Sequence, residues 1–274
     1  MKPEEWERLL LDATERVRGT VAALATKGGR GESVGVGASG DKTLRADRAA
    51  EDELLGALLR VKGTRVLSEE AGFRGAPGGK TMAVVDPLDG SSNFERGIPF
   101  YCTSVAVVEG DSLDDITVGV VRDLVNGDVY HAVKGRGTRK NGVPVRTSRV
   151  SEVPRAVIGM DISRGGAELV ERLAPLVASA KRQVHFGANA LELCYVADRT
   201  TDAFVDLRGS IRITDMAAAY LIAAEAGATI TDALGRELEG VFDLEHRLAF
   251  VASANSRLHK GILRLYRPVG AGRG

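Results

Sequence analysis

The chain has 274 residues, enough for one large domain or two modest ones sharing an interface, and its 44% apolar and 27% charged composition suits a packed core. Thirty-seven basic residues balance thirty-seven acidic ones, which argues against nucleic acid or an anionic membrane as main partner, since both select basic surfaces. The N-terminal stretch carries Glu4 and Glu5 where a secretory signal carries bases. The longest apolar run, residues 216–224, is too short to span a bilayer. A cytoplasmic protein is expected.

Trp6, Leu9, Leu10, Ala13, Val17, Val21 and Leu24 recur at helical spacing and predict an opening amphipathic helix. Residues 28–40 are glycine-rich without a period and read as a mobile loop. Gly35, Gly37 and Gly40 match a dinucleotide-binding fingerprint, but that motif needs a buried strand leading into the turn, and none is expected upstream. A second helix is predicted at about residues 44–59, carrying Asp47 and Glu51 one turn apart. Strands follow at 65–67, 82–85, 101–108, 116–124 and 129–133, with turns at Asn126-Gly127 and Asn141-Gly142. Gly79-Lys80-Thr81 resembles the end of a P-loop, yet the earlier glycine is replaced by Arg74 and a strand follows where a helix is required.

The pattern shifts near residue 150, the expected boundary between an N-terminal α+β part (1–150) and a C-terminal α/β part (151–274). Strands are predicted at 156–160, 184–186, 203–207, 229–231 and 249–252, and helices at 167–178, 190–197, 216–226 and 255–265. The tail after Pro268 reads as disordered. Cys102 and Cys194 lie far apart in apolar surroundings and read as buried free thiols. The four histidines show no spacing suited to zinc, so any metal must be held mainly by oxygen.

The segment Asp86-Pro87-Leu88-Asp89-Gly90-Ser91-Ser92-Asn93-Phe94 concentrates chemistry. Pro87 keeps Asp86 extended at the strand end. Asp89 returns within a turn, Gly90 permits close approach of a ligand, and Ser91-Ser92 would open a short helix whose free N–H groups favour an anion. Glu69-Glu70 closes another strand, Asp47 lies on the second helix, and Asp215 precedes an apolar helix as an expected N-cap. Taken singly, each is an ordinary surface acid, turn or cap. Their order along the chain is what singles them out.

With Ser68-Glu69-Glu70, the Asp86–Phe94 run, Thr214-Asp215-Met216-Ala217-Ala218 and Glu225-Ala226-Gly227-Ala228, the chain resembles the inositol monophosphatase superfamily over nearly its whole length. The run Asp206-Leu207-Arg208-Gly209-Ser210-Ile211-Arg212 is similar to the archaeal branch, whose members hydrolyse inositol monophosphates and fructose 1,6-bisphosphate. The resemblance implies an α+β fold, a layered αβαβα sandwich, and a homodimer. It implies one metal on Glu69, Asp86 and the Leu88 carbonyl, a second on Asp86, Asp89 and Asp215, and a weaker third on Asp47, Glu69 and Asp86. Oxygen ligands suit Mg²⁺, with Mn²⁺ as substitute.

Asp89, Gly90 and Ser91 would hold the substrate phosphate, while Glu69 and Ser91 orient a metal-activated water and Asp86 bridges the metals. Thr214 stands where animal members carry tryptophan, and His185 where archaeal relatives are expected to carry arginine. Further substrate contacts are expected from His185, Ala190, Arg208 and Arg212, the two arginines meeting a distal phosphate of a bisphosphate. The alternative is that one or both pair structurally with Asp206 or Glu192. Rival functions are a phosphatase of 3′-phosphoadenosine 5′-phosphate or NADP, a catalytically inactive metal-binding member, and a dinucleotide-binding oxidoreductase.

Overall fold

The computed structural model describes residues 1–26 and 30–266, and the tail after Pro268, like Gly28 and Gly29, lies outside them. The expected opening helix is α1 (Pro3–Thr26), which buries Trp6, Leu10, Ala13, Val17 and Val21. The glycine-rich segment holds more order than its sequence suggests. β1 (Ser33–Val36) folds back antiparallel onto β2 (Lys42–Leu44), which leads straight into α2 (Arg45–Leu58). A strand thus does enter Gly35–Gly40, but it is exposed and reverses into a hairpin, so the glycines form no dinucleotide turn.

β3 (Thr64–Ser68), β4 (Gly72–Gly75), β5 (Thr81–Asp89) and the short α3 (Ser91–Arg96) come next. β4 is unanticipated, since two of its four residues are glycine and only Phe73 is a strand former. β6 (Cys102–Val108), β7 (Ile116–Asp123), β8 (Val129–Val133), β9 (Thr138–Lys140) and β10 (Val143–Val145) follow as a meander. Asn141 (φ 51°) and Gly142 (φ 79°) form the tight turn between β9 and β10. In the second half, β11 (Val157–Asp161), α4 (Gly166–Ser179), β12 (Arg182–Val184), α5 (Asn189–Ala197), β13 (Ala203–Ile211), α6 (Ile213–Glu225), β14 (Thr229–Asp232), β15 (Leu248–Ser253) and α7 (Ser256–Leu263) complete the chain. β12 ends at Val184, leaving His185 and Phe186 beyond the strand expected to contain them.

Strands order as β10-β9-β8-β7-β6-β5-β3-β4 in one sheet and β12-β11-β13-β15-β14 in the other. Side-chain alternation decides what each sheet face touches. Ala83, Val85, Val105 and Val107 join the core formed with α1 and α2. Met82, Val84, Ala106 and Val108 join α5, α6, Phe204 and Phe250 between the sheets. Ala203, Val205 and Val251 face Leu169, Leu173, Leu258 and Ile262 of α4 and α7. The layers are therefore α1/α2, eight-stranded sheet, α5/α6, five-stranded sheet and α4/α7, the αβαβα sandwich. Cys102 and Cys194 are buried and free. Among the described residues no helix is long and apolar enough to cross a membrane.

Candidate metal centre and active site

The site is built where strands end. β3 runs parallel to β5 with Ser68 opposite Val85, and the Glu69 N–H continues the ladder to the Val85 carbonyl at 3.1 Å. Glu69 therefore lies beside Asp86. At Asp86 the pairing with β6 shifts register and resumes at Asp89, because Pro87 has no N–H to donate. The Asp86 Oδ1 accepts the Leu88 N–H at 3.1 Å, so the bulge turns on the acid itself.

Asp215 arrives from α6, the small-residue helix packed between the sheets, whose Ala218 backbone comes so close to β7 that a Cβ on Gly119 would lie 2.7 Å from the Ala218 carbonyl oxygen. Arg212 is the N-cap of that helix and Asp215 its third helical residue, a correction to the expected N-cap. Its Oδ2 reaches back to the Arg212 N–H at 3.0 Å and Oδ1 accepts from Thr214 Oγ1 at 3.1 Å. Asp47 takes the same place on α2, accepting the Leu44 N–H at 2.5 Å.

Carboxylate oxygens of Glu69, Asp86 and Asp215 lie within 4.8 Å of one another. Asp89 stands next to this group, its Oδ2 accepting from the Ala190 N–H at 2.7 Å. Gly90 has φ +88°, and a Cβ there would come within 3.0 Å of the Phe100 carbonyl and 3.2 Å of Ala188, so glycine is required for both conformation and space. Asp47, Glu69, Asp86, Leu88, Ser91 and Ser92 line a cavity of about 270 Å³.

Burial raises all these acids, and repulsion from neighbouring carboxylates adds to it at Glu69, Asp86, Asp89 and Asp47. Glu69 and Asp86 are driven well above the usual carboxylate range by burial first and by neighbouring carboxylates second. Burial lifts Asp89 to about 7, with Asp215 adding to it, and Asp47 also to about 7. Asp215 is raised by burial against its own hydrogen bonds. Several buried acids crowded together are costly unless a cation joins them. An all-oxygen donor set of this kind fits a hard divalent cation.

The expected cationic contacts are already paired with protein carboxylates. Arg208 pairs with Asp161 at 2.6 Å and, through Nε and Nη2, with Asp206. His185 sits between Glu192 at 3.0 Å and Asp161 at 3.6 Å. Arg212 bonds Glu69 at 2.9 Å and also Asp41. The Asp206 pairing left open by the sequence is thus present, and Glu192 is taken by His185. Of the expected substrate residues outside the Asp86–Phe94 run, Ala190 and Arg212 touch the acidic cluster through their backbone N–H groups, at Asp89 and Asp215.

Sequence reasoning missed Asp41, Lys42, Glu95 and Arg164, which line the same cavity. Asp41 and Lys42 fall between the segment read as a mobile loop (28–40) and the predicted second helix (from about 44). In the structure the hairpin tip docks on the acidic loop, Ala38 N–H to the Glu70 carbonyl at 2.8 Å and Ser39 N–H to that of Glu69 at 3.1 Å. Arg164 follows a strand end and precedes Gly165-Gly166, a turn signal comparable to the one noticed at Asp89-Gly90.

A layered αβαβα sandwich with buried carboxylates gathered at strand ends defines a metal-dependent phosphomonoesterase type of centre. The model of the inositol monophosphatase family matches residues 8–271. The chain belongs to that family, whose enzymes are metal-dependent phosphoric monoester hydrolases. It is 35% identical over 272 residues to the fructose-1,6-bisphosphatase/inositol-1-monophosphatase of Methanothermobacter thermautotrophicus, covering 94% of this chain and 95% of the relative. It is 32% identical to the bifunctional NADP phosphatase/NAD kinase of Methanococcus maripaludis, over 86% of this chain but 44% of that longer protein. The solved structure of PH1897 from Pyrococcus horikoshii, described as having similarities to inositol-1 monophosphatase, superposes with a TM-score of 0.84 at 29% identity, covering 97% of this chain and 100% of that one.

Proposed function

We propose that this enzyme hydrolyses phosphate monoesters of small polyols, with fructose 1,6-bisphosphate and inositol 1-phosphate as substrates and Mg²⁺ as its working cation. The observation that carries the reading is the convergence of Glu69, Asp86 and Asp215 within 4.8 Å, with Glu69 and Asp86 lining a cavity open to a ligand. An anionic ester cannot enter so acidic a cavity unless cations are already there. Glu69, Asp86 and the Leu88 carbonyl would hold one cation, Asp86, Asp89 and Asp215 a second, and Asp47 with Glu69 and Asp86 a weaker third. When bound, such cations supply Lewis-acid charge neutralisation at the phosphoryl group and make water a competent nucleophile at neutral pH.

The chain's own residues do the rest. Ser91 and Ser92 bring the first, unpaired N–H groups of α3 to the cavity wall, where Gly90 allows the phosphate to approach the backbone. Glu69 and Ser91 orient the attacking water. The Ala190 N–H fixes the Asp89 carboxylate. As in the family it resembles, the enzyme would act as a homodimer. A second reading, NADP phosphatase, is favoured by the Methanococcus maripaludis relative, but the acidic cavity offers no aromatic wall for a base.

Phosphate release from inositol 1-phosphate, fructose 1,6-bisphosphate, 3′-phosphoadenosine 5′-phosphate and NADP tests the reading. The first two should be turned over with Mg²⁺ or Mn²⁺, and EDTA should abolish activity reversibly. Appreciable turnover in excess EDTA, or action on the nucleotides alone, would refute it.

A further inference from the structure

Binding a bisphosphate requires a cation for the phosphate that is not being cleaved, and the arginines nearest in sequence to Asp215 are spoken for. Arg208 is held by Asp161 and Asp206, and Arg212 by Glu69 and Asp41. Of the two basic side chains lining the acidic cavity, Lys42 is paired with Glu95 at 2.8 Å. Arg164 is exposed and forms no hydrogen bond or ion pair with the described residues.

Arg164 also has an unusual backbone. Its φ is +60°, a left-handed conformation that is strained for a non-glycine residue and persists only when its surroundings impose it. Those surroundings are visible. The Gly165 N–H closes the turn onto the Ile162 carbonyl at 3.2 Å. The Ser163 N–H bonds Asp161 Oδ1 at 2.8 Å. Asp161 is in turn fixed through Oδ2 by Arg208, which Asp206 grips from the adjacent strand. An anchored turn therefore carries an unpaired guanidinium to the rim of a cavity whose floor is carboxylate.

We propose that Arg164 is a specificity-determining residue that binds the distal phosphate of a bisphosphate substrate, and that Arg208 is a positioning residue acting through Asp161 to hold the Arg164 turn. The identity of the substrate class rests on the phosphatase reading above; the anion-binding role of Arg164 does not. A guanidinium presents paired N–H donors to a phosphate in forked geometry, which an ammonium cannot reproduce.

The test compares wild type, Arg164→Ala and Arg164→Lys, each by steady-state kinetics on fructose 1,6-bisphosphate and inositol 1-phosphate and by calorimetric binding of the same two compounds. Arg164→Ala should raise the KM and Kd for the bisphosphate about tenfold or more, leaving both constants for inositol 1-phosphate within about twofold, and Arg164→Lys should recover part of the loss. Arg208→Lys should reproduce the selective KM defect without altering turnover of inositol 1-phosphate. Equal effects on both ligands, or none, overturn the inference. A wild type that cleaves inositol 1-phosphate yet binds the bisphosphate no tighter overturns it and leaves the phosphatase reading intact. One that binds the bisphosphate more tightly through Arg164 but cleaves neither ester keeps this inference and removes the other.

Discussion

Asp86 is the residue on which the most proposed contacts converge. It is almost completely buried, its carboxyl is shared between the Leu88 N–H and the cluster with Glu69 and Asp215, and it stands at the irregularity that ends regular pairing of β5 with β6. Asp86→Asn keeps the size and the hydrogen bond from Leu88 but removes a negative charge that each cation would share. Turnover is expected to fall by at least about a hundredfold, comparable to losing a principal electrostatic stabiliser, with the fold retained because the amide is easier to bury than the carboxylate. Circular dichroism alongside kinetics checks both halves of this expectation. Near-normal turnover in a folded variant would remove Asp86 from the centre.

Among the elements, the loop between β3 and β4 carries Glu69 and Glu70, and a buried acid on α2 braces it. Glu51 accepts from Ser68 Oγ at 2.6 Å and from the Ala71 N–H at 2.7 Å, gripping both residues that flank the acidic pair, while its second oxygen meets Arg48 at 3.0 Å. Glu51 is fully buried. Glu51→Ala should therefore destabilise the protein by about 2–3 kcal/mol, since a buried hydroxyl and amide lose their acceptor. It should also raise the Mg²⁺ concentration for half-maximal activity, because Glu69 is no longer held in place. Glu51→Gln retains an acceptor for Ser68 and Ala71 and should restore most of both. Denaturant unfolding and a metal titration separate the effects, and an unchanged metal requirement in the alanine variant would reduce Glu51 to a packing role.

For the molecule as a whole, the acidic centre makes stability depend on pH and cation together. Asp47 and Asp89 have folded-state values raised to about 7, and Glu69, Asp86 and Asp215 are raised as well, all with burial as the first cause. A carboxyl with a raised folded value binds more protons folded than unfolded between its ordinary range and that raised value. Stability from these groups therefore falls as pH rises through that window. Without divalent cation, the Tm is expected to drop between about pH 5 and pH 8. Mg²⁺ should stabilise more at pH 8 than at pH 6, because at the lower pH it must displace protons. Differential scanning calorimetry with and without EDTA reads this directly, and a Tm independent of Mg²⁺ at pH 8 would contradict it.

Much of this molecule was legible along the chain. Helix and strand positions follow from apolar periodicity that local burial respects, and acids at strand ends stand out because Pro87 and Gly90 constrain the backbone around them. The nearest charge pair was also within reach, Arg208 to Asp206 two residues away. Other features depended on segments that meet only after folding. Arg212 reaches Glu69 across 143 residues and Asp41 across 171, pairings that no spacing announces. The β1–β2 hairpin owes its order to docking on Glu69 and Glu70 more than to its own glycine-rich composition. Arg164 is one surface arginine in sequence, and only the stacking of the second sheet beside the first brings its turn to the acidic cavity. Local sequence governs backbone conformation because its forces act over a few residues. Which charges neutralise one another depends on distances of a few ångströms between remote segments, and those exist only in the folded chain.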